Sequence, residues 1–434
     1  MYSKAQSRSS IFGMSWKPAN TTLAVTLTLL FLIFLIVFLT VTAQQVQAQT
    51  FTVIHTFTGG TDGLFPDAGV TLVGHTLFGT AFGGGAAGQG TVYKMRSTNG
   101  NWTFAPLHAF GGSGDGAQPV APVVIGRNGS LYGTTQVGGS GPHGYGTVFN
   151  LTPSPTPAET PLNAWEETVL YSFQGQGLGA IEPGWGALAA DQAGNLYGTT
   201  RGGGMLGYGT VFELSPSQEG WTEKILYNFR GNNDGVQPIA SVVFDNAGNL
   251  YGTTYGGGAY GLGTVYELTP SGSGWVESVL YTFTGGSDGT SPWGGVIVDQ
   301  SGNLYGTTNS GGMGRGGTVF ELSPSAAGWV LTTLHSFSYN GSSPWPGSYA
   351  SLAIDQAGNL YGTTSLDGAN FAGNVFKLSP GNGGWTYSSL HDFTGGSDGW
   401  DPVGSVTLDA SGTVYGTAAQ GGTYGDGVVF EIRP

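Results

Sequence analysis

Leu250–Thr254 reads LYGTT, and the same five residues, identical or nearly so, begin at Leu77, Leu131, Leu196, Leu250, Leu304, Leu360 and Val414. The first copy is LFGTA and the last VYGTA, and the spacing is usually 54 residues. A period near 50 residues marks a solenoid, propeller or array, in which each unit is one piece of a shared core.

Working outward from Leu250, one unit runs from Pro238 to Phe283. Pro238–Asp245 (PIASVVFD) is apolar and β-branched, and Asp245–Gly248 has the Asp-first, Gly-fourth form of a type I turn. Asn249–Thr254 is a second short strand, and a glycine loop over Tyr255–Gly263 leads to a third at Thr264–Thr269. After a turn at Pro270–Gly274, Trp275–Phe283 (WVESVLYTF) is the fourth. Four short strands with regular turns predict an all-β unit. Apolar residues lie on both faces of these strands, which suits blades stacked around a channel better than a sandwich with one wet face. Seven units of four antiparallel strands predict a seven-bladed β-propeller. Phe51–Phe57 matches a fourth strand and Val428–Ile432 a third, so pairing the N-terminal strand 51–57 with the C-terminal blade closes the ring and removes two open edges. The one large insertion, Pro-rich over Pro153–Pro161, falls between a third and a fourth strand.

Residues 1–48 differ in kind from 51–434, the predicted propeller. Lys4, Arg8 and Lys17 precede an uncharged apolar run, Leu23–Val41, and small residues at Val41 and Ala43, or Val46 and Ala48, follow at cleavage-site spacing. This reads as a signal peptide or an uncleaved N-terminal membrane anchor, and either one exports the remainder. The chain of 434 residues carries a net charge of −14. Removing residues 1–43 leaves 9 Lys+Arg against 26 Asp+Glu, a balance of −17. Such a body repels nucleic acid and anionic lipid. There is no Cys, so no disulfide and no Cys-ligated zinc.

The layout is kelch-like, with a Gly pair after the second strand and a Trp opening the fourth. The repeat GNLYGTT…GG…GTVFELSP over Gly194–Pro216, followed by GW…LYxF, more closely resembles the Gloeo/Verruco (GloVer) tandem-repeat family of exported bacterial proteins. That resemblance covers nearly all of residues 51–434. It implies an extracytoplasmic location with varied surface anchoring, and it brings no established catalytic residue. No sorting helix follows Pro434, which leaves the N-terminal run as the expected anchor.

Candidate chemistry is sparse. His55, His108, His335 and His391 each stand two residues before a Phe in a fourth strand, where other units have Tyr171, Tyr227 and Tyr281. A position that accepts either is a packing position with a polar tip. His75 and His143 are isolated, and no metal site is expected. Asp191, Asp245, Asp299, Asp355 and Asp409 have type I turn spacing to Gly. Asp62, Asp115, Asp234, Asp288 and Asp398 precede Gly in loops that end at Pro66, Pro119, Pro238, Pro292 and Pro402, with Asp401 a second acid in the last. Turn chemistry is their simplest reading, and calcium would need several alternating ligands.

In an up-and-down blade these proline loops and the glycine loops emerge on one rim. That rim also carries Trp185, Trp293, Trp345 and Trp400, together with Tyr145, Arg201, Tyr255, Tyr260, Arg315 and Tyr424. Unlike the core, these residues vary from unit to unit. Aromatics with carboxylates and guanidiniums suit sugar or peptide binding; alternatively, the tryptophans cap the blade cores. Trp102, Trp165, Trp221, Trp275, Trp329 and Trp385 recur in register and read as packing. No sialidase-type Asp box occurs. The expectation is an exported, monomeric binding or scaffold module for carbohydrate or protein, without cofactor and without nucleic acid, touching membrane only through its N-terminal segment. The alternatives are an extracellular polysaccharide lyase or hydrolase using rim carboxylates, and a structural envelope protein.

Overall fold

Each letter of LYGTT has a separate structural task. A computed structural model describes residues 49–141, 143–154, 164–175, 179–272, 274–339 and 347–434. The N-terminal leader or anchor with its apolar run, most of the Pro-rich insertion, and Trp345 lie outside the described residues. Among the described residues no helix is long and apolar enough to cross a membrane.

The chain forms seven antiparallel sheets, and in all but the last the strands follow sequence order from the channel outward. They are blade 1 (71–109), blade 2 (124–172), blade 3 (189–228), blade 4 (243–282), blade 5 (297–338), blade 6 (353–392) and blade 7 (407–433). Blade 7 takes its outer strand from Thr50–Thr56, paired with Val428–Arg433. The predicted seven-bladed propeller and its closure are therefore present. Blade 3 has one extra short strand, Ala180–Pro183, against an elongated second strand.

Innermost strands are shorter than the sequence suggests. In blade 4 only Val243–Phe244 pairs with the second strand, where the apolar pattern predicts Pro238–Asp245. The residues before Val243 spend their carbonyls on the neighbouring blade instead: Ile239 accepts from the Trp185 and Gly186 amides. Ala240 accepts from the Thr199 hydroxyl at 2.9 Å.

That last bond is one of a series. The first Thr of the repeat donates to the next blade at Thr80–Ala121, Thr199–Ala240, Thr253–Gly294, Thr307–Ala350 and Thr363–Gly404. Thr417 donates to Ala68 at 2.8 Å and closes the ring across 349 residues. The exception is Thr134, buried without a partner, where the altered approach to blade 3 offers none. The second Thr stays within its blade; Thr254 meets the Thr264 hydroxyl at 2.8 Å. Tyr of the repeat reaches back to the turn Asp, as in Tyr251 to Asp245 at 3.1 Å. The register tryptophans pack at blade junctions, as Trp329 does edge-on to Tyr251.

The Gly sits directly opposite a third-strand aromatic, Gly306 against Phe320 and Gly252 against Tyr266. A Cβ on Gly306 would stand 2.6 Å from the Phe320 ring, and one on Gly252 would stand 2.4 Å from the Tyr266 hydroxyl. The missing side chain is the space into which the ring folds.

The fourth strands carry a shared irregularity. Register shifts skip one aliphatic residue, Leu280 in blade 4, which lies between the pairs Tyr266–Val279 and Val265–Tyr281. A β-bulge re-aims the residue that follows, and this is where the His-or-Tyr position falls. Its polar tip turns to the acid seven residues on: His55–Asp62 at 3.3 Å, His108–Asp115 at 3.3 Å and His391–Asp398 at 3.1 Å. Tyr227 bonds Asp234 at 2.9 Å and Tyr281 bonds Asp288 at 3.1 Å. Burial lowers the pKa of each of these histidines against the opposing pull of its Asp.

Gly306→Ala is expected to lower stability by about 1–3 kcal/mol through overpacking against Phe320. Gly274→Ala, whose Cβ would meet nothing within 4 Å, is expected to change it by less than about 0.5 kcal/mol. Thermal melting of the two variants checks the comparison.

Candidate functional site

The two loop series do share a rim. Isolated bridges pair the proline loops with the glycine loops of the same blade, at Leu64–Gly83, Ala117–Val137, Val236–Gly256, Thr290–Ser310 and Trp400–Gln420. The five Asp-Gly carboxylates are occupied inside this rim. Asp288 is 5% exposed and accepts from the Thr284 amide at 2.7 Å, the Thr284 hydroxyl at 2.7 Å and the Tyr281 hydroxyl. Asp62, Asp115, Asp234 and Asp398 repeat the pattern with the amides of Thr58, Gly111, Arg230 and Thr394. Their oxygens fix turns, as the spacing suggests.

A second ring lies just inside. Phe65, Gln118, Glu182, Gln237, Ser291 and Asp401, each immediately before a proline, have φ between 53° and 59°. Left-handed φ costs a non-glycine residue about 1–3 kcal/mol and persists only where neighbours over-determine it. Here they do. The amide of each residue donates to the glycine loop of the preceding blade, as Gln237 does to Tyr208 and Phe65 to Asp426. The carbonyl of each, Glu182 apart, accepts from its own blade, as Gln237 does from Tyr255 and Asp401 from Ala419. Of these six junction residues, Phe65 and Asp401 line the channel mouth and Gln237 lines the recess beside it.

The mouth opens into a cavity of about 710 Å³, lined by the channel segments of the blades and by Phe65, Asp67, Trp185, Trp293, Tyr349 and Asp401. A smaller recess of about 250 Å³ beside it is lined by Trp185, Arg201, Gln237, Ile239, Tyr255, Trp293 and Tyr349. Trp293 is the hub of an aromatic wall. Its ring meets Trp185 at 5.9 Å, Tyr255 at 5.3 Å and Tyr349 at 5.1 Å between centroids, all edge-to-face. All four rings are half-buried and keep surface open to the mouth. Arg201, exposed, approaches Glu182 at 4.0 Å and helps hold down the Tyr255 pKa, which burial raises.

An acid pair from neighbouring blades, Asp67 and Asp401, lines the same cavity. Enclosure by the channel wall, reinforced by Asp401, pushes the Asp67 carboxyl up to about 7. Burial also raises Asp401, against a hydrogen bond from the Ser365 hydroxyl that favours its ionised form. Tyr349 is pushed up to about 12 by burial, with Asp401 and Tyr255 adding to it and Asn309 opposing. Among the described residues, the large cavity's lining contains no Lys, Arg or His. Among the same residues no group of three His, Asp or Glu is arranged to hold a metal ion.

Of the residues singled out in the sequence, the structure gathers Trp185, Trp293, Tyr255 and Arg201 at the mouth. Tyr260 and Tyr424, 63% and 64% exposed, are loop tips, and Trp400 is exposed outside the cavity lining. Tyr145 packs against Gly175 and Ile181, and Arg315 lies on the blade 5 glycine loop. Asp67, Tyr349, Gln237 and Glu182 escaped the sequence reading. The usable signal was adjacency to the loop prolines: Asp67 directly follows Pro66, and Asp401 directly precedes Pro402.

The profile of a family described as the Gloeobacter/Verrucomicrobia repeat matches residues 40–182 and again 182–430. No curated protein matches the chain in sequence. Among solved structures, an ulvan lyase of polysaccharide lyase family PL25, bound to -[GlcA(1-4)Rha3S]-, superposes with a TM-score of 0.50 and 11% identity, covering 85% of this chain and 94% of that one. A second structure of a PL25 ulvan lyase gives 0.51 and 11%, covering 85% and 92%. A candidate 6-phosphogluconolactonase from Bacteroides uniformis ATCC 8492 gives 0.50 and 14%, covering 81% and 89%. At such identities the likeness is one of fold alone.

Asp67→Asn is expected to stabilise the protein at pH 8. With a folded pKa near 7 and an unfolded one near ~3.9, Asp67 holds a proton in the folded state that the unfolded chain has released. Stability is therefore lost as pH rises from about 4 through 7. The Asn variant is spared that loss, so it should be more stable by roughly 2–4 kcal/mol at pH 8, with the difference gone by about pH 4. Thermal melting across this range reads the sign.

Proposed function

The chain belongs to the Gloeobacter/Verrucomicrobia repeat family, and from its closed ring we propose an exported, monomeric binding module that holds a carbohydrate chain at the loop-bearing mouth of the propeller. The observation that carries this is the aromatic wall centred on Trp293, standing over a cavity of about 710 Å³. Rings of this kind cover the C–H faces of sugars, while a few fixed polar groups take the hydroxyls. Gln237, Arg201, Asp401 and Asp67 stand within the same mouth. The solved ulvan lyase with its bound polysaccharide supports the compatibility of such a fold with a glycan. Export is supported by the basic-then-apolar pattern before residue 49.

A protein partner is the second reading. Its support is the set of exposed apolar tips that the glycine loops present on this face: Met205, Leu206, Tyr260, Met313, Phe371 and Tyr424.

An affinity-gel and glycan-array screen of the full chain tests the first reading. Trp293→Ala should weaken retention by about tenfold or more, the scale of one lost aromatic contact, without lowering the melting temperature below assay conditions. Trp400→Ala should bind as the parent does. Equal retention by Trp293→Ala, or loss on Trp400→Ala alone, would place the ligand elsewhere.

A further inference from the structure

We propose that Asp67 and Asp401 form an acid–base pair that hydrolyses glycosidic bonds in a neutral or amino-sugar chain lying in the channel mouth. This goes beyond the binding reading and rests on it.

The two residues come from blades adjacent only because the ring closes, and both line the cavity of about 710 Å³ together with Trp185, Trp293 and Tyr349. Their settings differ. Asp67 lines the cavity half-buried, with no hydrogen bond to its carboxyl among the described residues. Asp401 is held firmly. Its backbone sits at φ 59°, its amide donates to Ala372, its carbonyl accepts from Ala419, and one carboxylate oxygen accepts from the Ser365 hydroxyl. The left-handed backbone that Asp401 shares with the other junction residues fixes its carboxylate at the cavity wall. The carboxyl whose surroundings keep it protonated near neutral pH suits a proton donor, and the carboxylate stabilised by a hydroxyl suits an acceptor.

The chemistry balances without a cofactor. Asp67 gives its proton to the glycosidic oxygen as the bond from that oxygen to the anomeric carbon breaks. Water forms the new bond to that carbon and gives a proton to Asp401. The products are a reducing end and an alcohol, one water is consumed, and proton exchange with solvent resets the pair. The substrate class follows from charge. The lining holds two acids and no Lys, Arg or His among the described residues. A uronate would add a negative charge beside Asp401, while Arg201, in the adjoining recess, already approaches Glu182, so cleavage by elimination is disfavoured there. A neutral chain, or one with amino groups, meets no such penalty.

The test uses the full chain with three polymer types: neutral β-glucans, chitosan oligomers, and uronate polymers such as ulvan and alginate. Binding, reducing ends and ultraviolet-absorbing unsaturated ends are measured in parallel. The expected result is reducing ends without unsaturated ends from a neutral or amino glycan. Asp67→Asn and Asp401→Asn should each cut the rate about a hundredfold or more while still retaining the polymer. The groups that titrate in the cavity lining are Asp67, Asp401 and Tyr349, so the rate should be bell-shaped in pH. Ser365→Ala, a change to a positioning residue, should move the acid limb to higher pH. Retention without cleavage, parent-like rates in Asp67→Asn, or unsaturated ends would overturn the catalytic proposal and leave binding intact. Failure of the parent chain to retain any polymer would remove both.

Discussion

A buried threonine hydroxyl donating across a blade junction is the interaction on which the architecture turns. It takes the first threonine hydroxyl of the repeat in one blade and spends it on the channel segment of the next, from Thr80–Ala121 round to Thr417–Ala68. A hydrogen bond of this kind contributes about 1 kcal/mol net, but leaving its buried donor unsatisfied costs about 1–3 kcal/mol. The channel segments therefore cannot drift from their neighbours. This explains why the innermost strands pair over only two or three residues: their carbonyls already have partners across the junction. It also explains how the channel stays open, because the inner segments are held sideways by adjacent blades instead of collapsing on one another.

The junction residues before the loop prolines apply the same logic one layer higher. Each connects the preceding glycine loop to its own blade through its backbone, at the expense of a left-handed φ. Since the backbone does the joining, the side chain is free to vary, and the six described positions carry Phe, Gln, Glu, Gln, Ser and Asp. A symmetric frame thus presents an asymmetric mouth. Aromatic residues collect on the side of blades 3 to 6, and the two acids collect at the seam between blades 7 and 1. The seam is the natural place for a pair of mutually unfavourable carboxylates, since the blade completed from both ends of the chain meets its neighbour there.

Much of this was legible beforehand, because repetition converts weak signals into strong ones. LYGTT at seven places specified blade number, strand order and closure, and the fit of Phe51–Phe57 to a vacant fourth strand located the seam. The Asp-Gly loops were also legible as turns, and Asp288 with its three donors has that role. The channel strand in Pro238–Asp245 was overestimated because apolar, β-branched residues serve equally a paired strand and an unpaired channel lining. At the mouth, Trp293 and Trp185 were legible as rim aromatics, but their convergence was not. Asp67 and Asp401 lie 334 positions apart in the sequence, and no local pattern brings them together. Only ring closure does, and only the enclosure of the channel changes how Asp67 holds its proton.

The central claim is that ligand chemistry resides at this one mouth and that the other surfaces are scaffold. Hydrogen–deuterium exchange of the full chain with and without the tightest-binding oligosaccharide addresses it directly. The expected result is slowed exchange confined to residues 182–187, 237–241, 291–295, 347–351 and 401–405, with the turns on the opposite face, such as Asp245–Asn249, unchanged. Protection centred on those turns or on the outer strands, with the mouth exchanging at its free rate, would contradict it.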